Sequence, residues 1–252
     1  MLPAPTLTII IPTHNRPDLL PGAVDSALRQ TLEDIEVLVV DDGSFPPAEV
    51  PSHPRLRHLR LPTAGGVAHA RNTGARNAIG RLVCFLDDDD ELLPEMARIS
   101  VDALGASRLP PPVSVISGLE VVDTRGRVRE QRLPPSLPKG AGFFLQEISP
   151  QESFNSKQTL VVDRDLFLGL GGFDESFRSR TQTELFLRLN AVSSLEGVPE
   201  ITYRLTIHDG PRISRTPQLR QESFTKLLTK YAAIFAEHPA GFARFCVDHA
   251  VT

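Results

Sequence analysis

Four consecutive carboxylates, Asp87 to Asp90, directly follow Leu82 to Leu86, a short apolar segment typical of a buried strand. Adjacent carboxylates repel one another, so such a loop is costly unless a cation lies beside it. Carboxylate oxygens suit a hard cation such as Mg²⁺ or Mn²⁺. A solvated acidic loop that caps the following helix would have the same composition, and the run alone does not separate the two interpretations.

Short apolar segments alternate with amphipathic ones in the N-terminal part of the chain. The pattern predicts strands at 6–11, 35–40, 56–61 and 82–86, and helices at 17–28, 67–78 and 94–104. Strands without polar alternation, separated by helices, indicate an α/β fold with a mostly parallel sheet covered on both faces. Further along, the pattern predicts a hairpin at 113–132, strands at 158–162 and 201–207, a helix at 181–190 and a C-terminal helix at 217–237.

Polar clusters follow three of these predicted strands. The first strand leads into Pro12 to Arg16, the second into Asp41 to Ser44, and the fourth into Asp87 to Asp90. Ligands of doubly wound sheets bind beyond the carboxyl ends of the strands, so we expect the three clusters to share one crevice. Turn residues are common at strand ends in any protein, and the signal is therefore their joint occurrence.

Composition limits the remaining function classes. The chain has 252 residues, 40% of them hydrophobic, enough for one large domain with or without an extension. A net charge of −4 argues against a nucleic-acid-binding surface. Two cysteines suggest no disulfide framework, and no apolar run has the length of a signal or a membrane-spanning segment. We expect a protein without a transmembrane segment, either cytoplasmic or held peripherally at the inner face of the membrane.

Five motifs together resemble the family 2 glycosyltransferases, which have the GT-A fold. The motifs are Ile9 to Arg16, Val39 to Ser44, Gly65 to Asn72, Phe85 to Asp90 and Gly171 to Glu175. They occur in the family's order, and this joint match is far more specific than the acidic run alone. The resemblance implies a GT-A domain over residues 1–210 and a C-terminal helical extension of the same domain over 211–252.

The resemblance also implies inverting, metal-dependent transfer of a sugar from a nucleotide-diphosphate donor, most often a UDP-sugar, to a hydroxyl of a glycan, lipid or small molecule. The implied donor-binding residues are Pro12, Thr13, His14, Asn15, Arg16, Asp42, Arg71, Asp87 and Asp88. In this scheme Asp42 accepts a hydrogen bond from the base, His14 stacks on it, and Arg71 approaches the diphosphate or the base. Each also has an ordinary interpretation. His14 could be a loop histidine, Asp42 could form an Asx turn, and Arg71 could be a solvent-facing helix arginine.

A divalent cation, Mn²⁺ or Mg²⁺, is implied at the acidic run. The resemblance assigns it to Asp87 and Asp89, and His208 after the last predicted strand is a further ligand candidate. Cleavage of the sugar–phosphate bond leaves negative charge on the nucleoside diphosphate, which a cation would neutralise.

The general base is where the chain departs from the family. Members usually carry Glu-Asp ahead of a helix resembling Asp-Leu-Trp-Leu-Arg-Leu, and that Asp is the base. Here the helix reads Glu184 to Leu189, and the pair falls on Thr181-Gln182. A glutamine does not accept a proton at neutral pH. Glu184 is the nearest carboxylate in sequence, with Asp174, Glu175 and His208 as other candidates, although a glutamate in a first helical turn needs no catalytic role.

Two rival functions follow from these observations. The Gln182 substitution is compatible with a catalytically impaired protein that binds a nucleotide sugar as a scaffold. A nucleotidyltransferase could use a similar acidic metal site, but that class generally has a glycine-rich loop with Lys or Arg after the first strand. Residues 12–16 do not supply such a loop.

Overall fold

The structure is a computed structural model that describes residues 4–207 and 216–251. Within these residues nine strands form one sheet: β1 (Leu7–Thr13), β2 (Ile35–Asp41), β3 (Leu56–Arg60), β4 (Leu82–Phe85), β5 (Glu91–Leu92), β6 (Val113–Asp123), β7 (Val128–Arg132), β8 (Val161–Asp163) and β9 (Ser194–Ile207). The helices are α1 (Leu20–Leu28), α2 (Val67–Asn77), α3 (Met96–Ala106), α4 (Arg164–Gly169), α5 (Thr181–Val192), α6 (Pro217–Lys230), α7 (Ala232–Glu237) and α8 (Pro239–Val251), and a 3-10 helix covers Lys157–Thr159.

The first half of the sheet is parallel, as the sequence predicts. Its strands lie in the order β3-β2-β1-β4, with Leu7 of β1 opposite both Ile35 of β2 and Leu82 of β4. β1, β2 and β4 are buried at every position, which explains their continuous apolar composition. Their carboxyl ends therefore meet at one edge of the sheet.

The second half of the sheet is mixed, which differs from the prediction of a mostly parallel sheet. β8 runs antiparallel to both β4 and β6, β9 runs parallel to β6, and the short β5 and β7 pair antiparallel with β9 and β6. A strand buried on both faces has the same apolar composition whichever way its neighbour runs. Strand direction in this half is therefore not encoded in the local pattern.

Several elements differ from their predicted bounds. The predicted strand at 158–162 is divided between the 3-10 helix and β8, and β9 begins at Ser194, seven residues before its predicted start at Ile201. The predicted C-terminal helix is divided into α6 and α7 and is followed by α8, while α4 and β5 were not predicted. Regular structure at these places depends on pairing and packing partners that are distant in sequence.

Helices cover both faces of the sheet. Ile10 of β1 contributes to the hydrophobic core on the side of α2, whereas Ile9 and Ile11 contribute to the core on the side of α1 and α3. Three residues of the C-terminal helices, Leu227, Phe235 and Phe245, are buried in the same core as Ile10, together with Tyr231 between α6 and α7. The predicted domain boundary at residue 210 lies outside the described residues, and the division into 1–210 and 211–252 stays a prediction.

No helix within the described ranges has both the length and the apolar composition needed to cross a membrane.

Helix α2 packs very closely on the parallel strands. A Cβ atom at Gly74 would lie 2.4 Å from Cγ2 of Ile10 and 3.2 Å from Cγ2 of Val40. The absence of a side chain at this position lets the helix approach β1 and β2. The same helix carries Arg71, so this approach also sets the distance of that side chain from the strand ends.

We expect Gly74→Ala to lower the free energy of unfolding by about 1 to 3 kcal/mol, because the added methyl group overpacks against Ile10. Gly105→Ala in α3 is the matched control: a Cβ atom added there would have no neighbouring atom within 4 Å, so the better helix propensity of alanine should raise stability by up to about 1 kcal/mol. Urea denaturation measures both variants. Equal stabilisation by the two substitutions would contradict the close packing of α2.

Candidate active site

The acidic loop after β4 is anchored to the end of β1. Asp88, only 5% exposed, accepts a hydrogen bond from Oγ1 of Thr13 at 2.8 Å and forms an ion pair with Arg16 at 2.8 Å. Arg16 also donates to Oδ2 of Asp89 at 3.2 Å. Burial raises the pKa of Asp88, although Thr13 and Arg16 act in the opposite direction. The residues after β1 thus hold two of the four carboxylates in place.

Arg71 reaches the same loop from α2. Its side chain is only 5% exposed, forms an ion pair with Asp87, and lies over the ring of Phe173 with Cζ 5.3 Å from the ring centroid. Its Nε is buried and has no hydrogen-bond partner. The solvent-facing interpretation of Arg71 is therefore wrong, and its guanidinium group lies against the acidic loop.

Asp90 is tied to β9 instead of to β1. Its carboxylate accepts hydrogen bonds from the hydroxyl of Tyr203 at 2.8 Å and from the backbone N–H of Thr206 at 3.0 Å. Burial, followed by repulsion from Asp87 and Asp89, raises the pKa of Asp90 well above its ordinary value. The acidic loop is consequently held from both halves of the sheet.

Three of the four carboxylates could share a cation. Asp87, Asp89 and Asp90 each offer one oxygen, and these oxygens lie within 4.8 Å of one another. Oxygen donors of this kind fit Mg²⁺ or Mn²⁺. Asp87 and Asp89 were predicted as ligands from the sequence, whereas Asp90 is a candidate that only the structure adds to the acidic run. His208, the other predicted ligand, lies outside the described residues.

The loops after β1 and β2 are joined to each other. Asn15, in the left-handed region at φ 53°, donates its backbone N–H to Oγ of Ser44 at 2.9 Å and accepts the N–H of Phe45 at 2.8 Å. His14 is exposed, and its Nδ1 lies 2.7 Å from the carbonyl oxygen of Asp42. Because a carbonyl only accepts, Nδ1 of His14 carries the proton in this contact. Pro12 is buried within β1, opposite Val40.

The Asp42 carboxylate holds the loop that precedes α2. It is 4% exposed and accepts the backbone N–H groups of Gly65 at 2.8 Å and Gly66 at 2.7 Å. The turn before Gly43 is made instead by Asp41, which accepts N–H groups from Ser44 and Ala48. Asp42 thus links the β2 loop to the start of α2, next to His14.

Glu184 and Gln182 lie on the first turns of α5. Glu184 has no exposed surface and is paired with Arg188 at 2.5 Å and Lys230 at 2.6 Å, and it accepts the hydroxyl of Tyr231 at 2.6 Å. Burial alone would raise the pKa of Glu184, but the hydrogen bonds from these three partners lower it. An inaccessible carboxylate that is stabilised in its charged form suits a structural ion pair. This environment does not suit the predicted role of Glu184 as a general base, and the amide of the half-buried Gln182 does not accept a proton at neutral pH.

The other described candidates for the base lie in the loop between α4 and α5. Asp174 accepts hydrogen bonds from Lys230 at 2.8 Å and from Ser176. Burial alone would raise the pKa of Asp174, but these hydrogen bonds lower it to about 2. Glu175 accepts from Asn72 at 2.9 Å, which lowers its pKa, and lies 3.0 Å from Nδ1 of His69. These contacts connect the loop to both α2 and α6.

The fold and the site define a class of protein. A helix-flanked mixed sheet with a carboxylate crevice at the carboxyl ends of its parallel strands is the GT-A architecture. The chain is similar in fold to S. aureus TarS: against TarS in complex with UDP-GlcNAc the TM-score is 0.63, with 18% identity, over 88% of this chain and 66% of that one. Against TarS in complex with UDP the TM-score is 0.59, with 17% identity, over 91% of this chain and 74% of that one.

Sequence similarity leads to the family. Residues 8–116 match the family described as Glycosyl transferase family 2. The chain is 34% identical to the O-antigen biosynthesis protein RfbC of Myxococcus xanthus over 74% of its own length and 16% of that protein's. It is 28% identical to an uncharacterized glycosyltransferase of Haemophilus influenzae over 73% and 61% of the two chains, and 33% identical to the succinoglycan biosynthesis protein ExoW of Rhizobium meliloti over 64% and 56%. Over the matched residues 8–116 the chain belongs to the family 2 glycosyltransferases, as predicted, and the whole chain spans less than two thirds of the length of these three relatives.

We expect Glu184→Gln to lower the free energy of unfolding by about 3 kcal/mol at neutral pH, because Arg188 loses its charged partner in a mostly buried site. The lowered pKa of Glu184 makes its contribution fully present above a pH of about 4.3, and the contribution is lost as the pH falls through the folded-state pKa. The difference in the free energy of unfolding between wild type and variant should therefore become smaller at acidic pH.

Chemical denaturation at several pH values measures this effect. Glu222→Gln, at an exposed position on α6, is the control and should change stability by less than about 0.5 kcal/mol. A Glu184→Gln protein as stable as wild type at neutral pH would refute the structural role of this carboxylate.

Proposed function

We propose that this chain transfers a sugar, with inversion, from a nucleoside-diphosphate donor to a hydroxyl group of a glycan, lipid or small-molecule acceptor. The observation that carries the proposal is the convergence of Thr13, Arg16 and Arg71 on the carboxylates of Asp87 to Asp89 at the carboxyl ends of β1 and β4. A UDP-sugar is the proposed donor. The structural similarity to TarS, which has been crystallised with UDP-GlcNAc and with UDP, supports this choice.

Asp87, Asp89 and Asp90 are the residues proposed to hold Mn²⁺ or Mg²⁺. Their three oxygens within 4.8 Å of one another fit a hard divalent cation. When bound, this cation would act as a Lewis acid that stabilises the negative charge developing on the nucleoside diphosphate. A bound cation would favour the ionised form of all four carboxylates, including Asp90, whose pKa burial raises in the free protein. With all four ionised, the guanidinium groups of Arg16 and Arg71 would leave a formal charge of −2, which a divalent cation would balance.

The two arginines have different proposed roles. Arg16 binds Asp88 and Asp89 together and so orients the proposed metal ligand Asp89. Arg71 has a buried Nε without a partner, and a planar guanidinium next to the metal site is suited to bind a phosphate oxygen. Arg71 is therefore proposed to contact the donor diphosphate.

The nucleoside base is proposed to lie beside His14 and Asp42. The exposed imidazole of His14 offers a surface on which a base could stack. Each carboxylate oxygen of Asp42 accepts one backbone N–H group, and a carboxylate has about four acceptor sites, so one more hydrogen bond from a base can be accommodated.

The expected location in the cytoplasm or at the inner face of the membrane stays a prediction.

A scaffold protein that binds a nucleotide sugar without turnover is the second candidate. It is favoured by Gln182 at the usual position of the base and by the complete burial of Glu184. Incubation with UDP-, dTDP- and GDP-sugars and Mn²⁺, across a broad acceptor panel, separates the candidates. Release of free nucleoside diphosphate supports the transferase, and saturable donor binding without release supports the scaffold. Pyrophosphate release from a nucleoside triphosphate and a sugar phosphate would instead indicate a nucleotidyltransferase.

We expect Asp89→Asn to weaken metal-dependent UDP binding by more than about a hundredfold. The substitution removes a proposed direct anionic ligand of the metal, and this loss should weaken metal binding more than the loss of a residue that contacts only the ligands. Asp165→Asn is the control, since that carboxylate is 82% exposed and lies on α4. Calorimetric titration of UDP with and without Mn²⁺ measures the effect. Unchanged Mn²⁺ and UDP affinities in Asp89→Asn would contradict the proposed metal site.

A further inference from the structure

Lys157 is a buried cation that has no acidic partner within residues 4–207 and 216–251. Its residue is 8% exposed, and its ammonium group donates to the carbonyl oxygen of Phe154 at 2.9 Å and to Oδ1 of Asn155 at 3.1 Å. The ammonium nitrogen also lies 5.0 Å from the ring centroid of Phe144. These partners are neutral. Burial, together with repulsion from Arg132 and Arg180, lowers the pKa of Lys157 to about 7.

Arg180 is a second cation, and it is half-buried. It immediately precedes α5, in the left-handed region at φ 58°, and its guanidinium carbon lies 5.3 Å from the ring centroid of Phe224. Its Nε is buried and makes no hydrogen bond. Burial and repulsion from Arg220 lower the pKa of Arg180 to about 10. Arg132, by contrast, is neutralised by a bidentate pair with Glu130 at 2.8 and 2.9 Å.

The topology places the segment that carries Lys157 next to the end of β4 and next to α5, the helix that Arg180 precedes. β8 is antiparallel to β4, with Val161 opposite Cys84. Residues that precede β8 therefore lie next to the residues that follow β4, and the 3-10 helix with Lys157 contacts both β4 and α5. Gln158 in the same 3-10 helix has a buried Oε1 without a partner. Among the described residues, buried side-chain atoms without hydrogen-bond partners thus occur on α2, on the 3-10 helix and just before α5.

We propose that Lys157 and Arg180 form a binding site for a phosphate-type anion carried by the acceptor. This site rests on the proposed function, because it would bind the acceptor of the proposed transfer. A buried ammonium group that is repelled by a half-buried guanidinium group is costly in isolation, and a bound anion would relieve that repulsion and could accept a hydrogen bond from Arg180. The acceptor would then be a phosphorylated glycan, lipid or polyol. The donor diphosphate has separate partners, because Arg16 and Arg71 reach the acidic loop from the other side of β4.

The test uses inorganic phosphate as the probe, titrated into the full chain saturated with UDP and Mg²⁺. Lys157→Met keeps the length of the side chain and removes its charge, and Arg180→Gln removes the charge of the second cation. Each variant is expected to weaken phosphate binding by about tenfold or more, while UDP affinity stays unchanged. Lys139→Met, at an exposed lysine whose ammonium group lies 3.5 Å from the carbonyl oxygen of Pro111, is the control and should bind phosphate as wild type does.

Other outcomes overturn the proposal in distinct ways. Unchanged phosphate affinity in a folded Lys157→Met or Arg180→Gln protein would refute the anion site, and a parallel loss of UDP affinity would assign both cations to the donor. Either variant suffices if the other does not fold, which thermal melting reports. Wild-type protein that binds phosphate but not UDP would count against the proposed function and not against the site itself.

Discussion

Repulsion among the four carboxylates that follow β4 is the constraint on which the site depends. Two guanidinium groups from separate elements oppose it: Arg16 arrives from the end of β1, and Arg71 arrives from α2. Neither cation is adjacent to the acidic loop in sequence. The parallel pairing of β1 with β4 brings the first into range, and the close packing of α2 through Gly74 brings the second.

The loops around the crevice are held by the same kind of polar contact. Asp42 fixes the loop before α2 through two backbone N–H groups, and Asn15 fixes the β1 loop to the β2 loop. On the opposite side, Asn72 of α2 donates to the carbonyl oxygen of Phe173, and Glu184 connects α5 to α6. The proposed donor pocket is therefore preorganised by side chains whose own hydrogen bonds are internal to the protein.

The sequence allowed prediction of the parallel half of the fold and of the polar clusters at its strand ends. β1, β2 and β4 are apolar throughout because both faces are buried, and in a parallel sheet their carboxyl ends must meet at one edge. The direction of β8 could not be predicted in this way. Nor could the partners of Asp90, since Tyr203 lies 113 residues away along the chain.

The charge state of individual side chains was equally inaccessible to sequence reasoning. Glu184 has the position of an ordinary first-turn acid, and its role became visible only through Lys230, 46 residues further on. Lys157 carries no motif at all; its pKa is set by burial and by neighbouring cations from β7 and the start of α5. Such properties depend on tertiary neighbours and not on local composition.

The central claim is that the acidic corner binds the cation that accompanies a nucleoside diphosphate. Anomalous diffraction from crystals soaked with UDP and Mn²⁺ tests it most directly. A manganese peak is expected within about 2.1 Å of an Asp89 carboxylate oxygen, with the diphosphate beside it. Ordered UDP together with manganese density away from Asp87, Asp89 and Asp90 would contradict it.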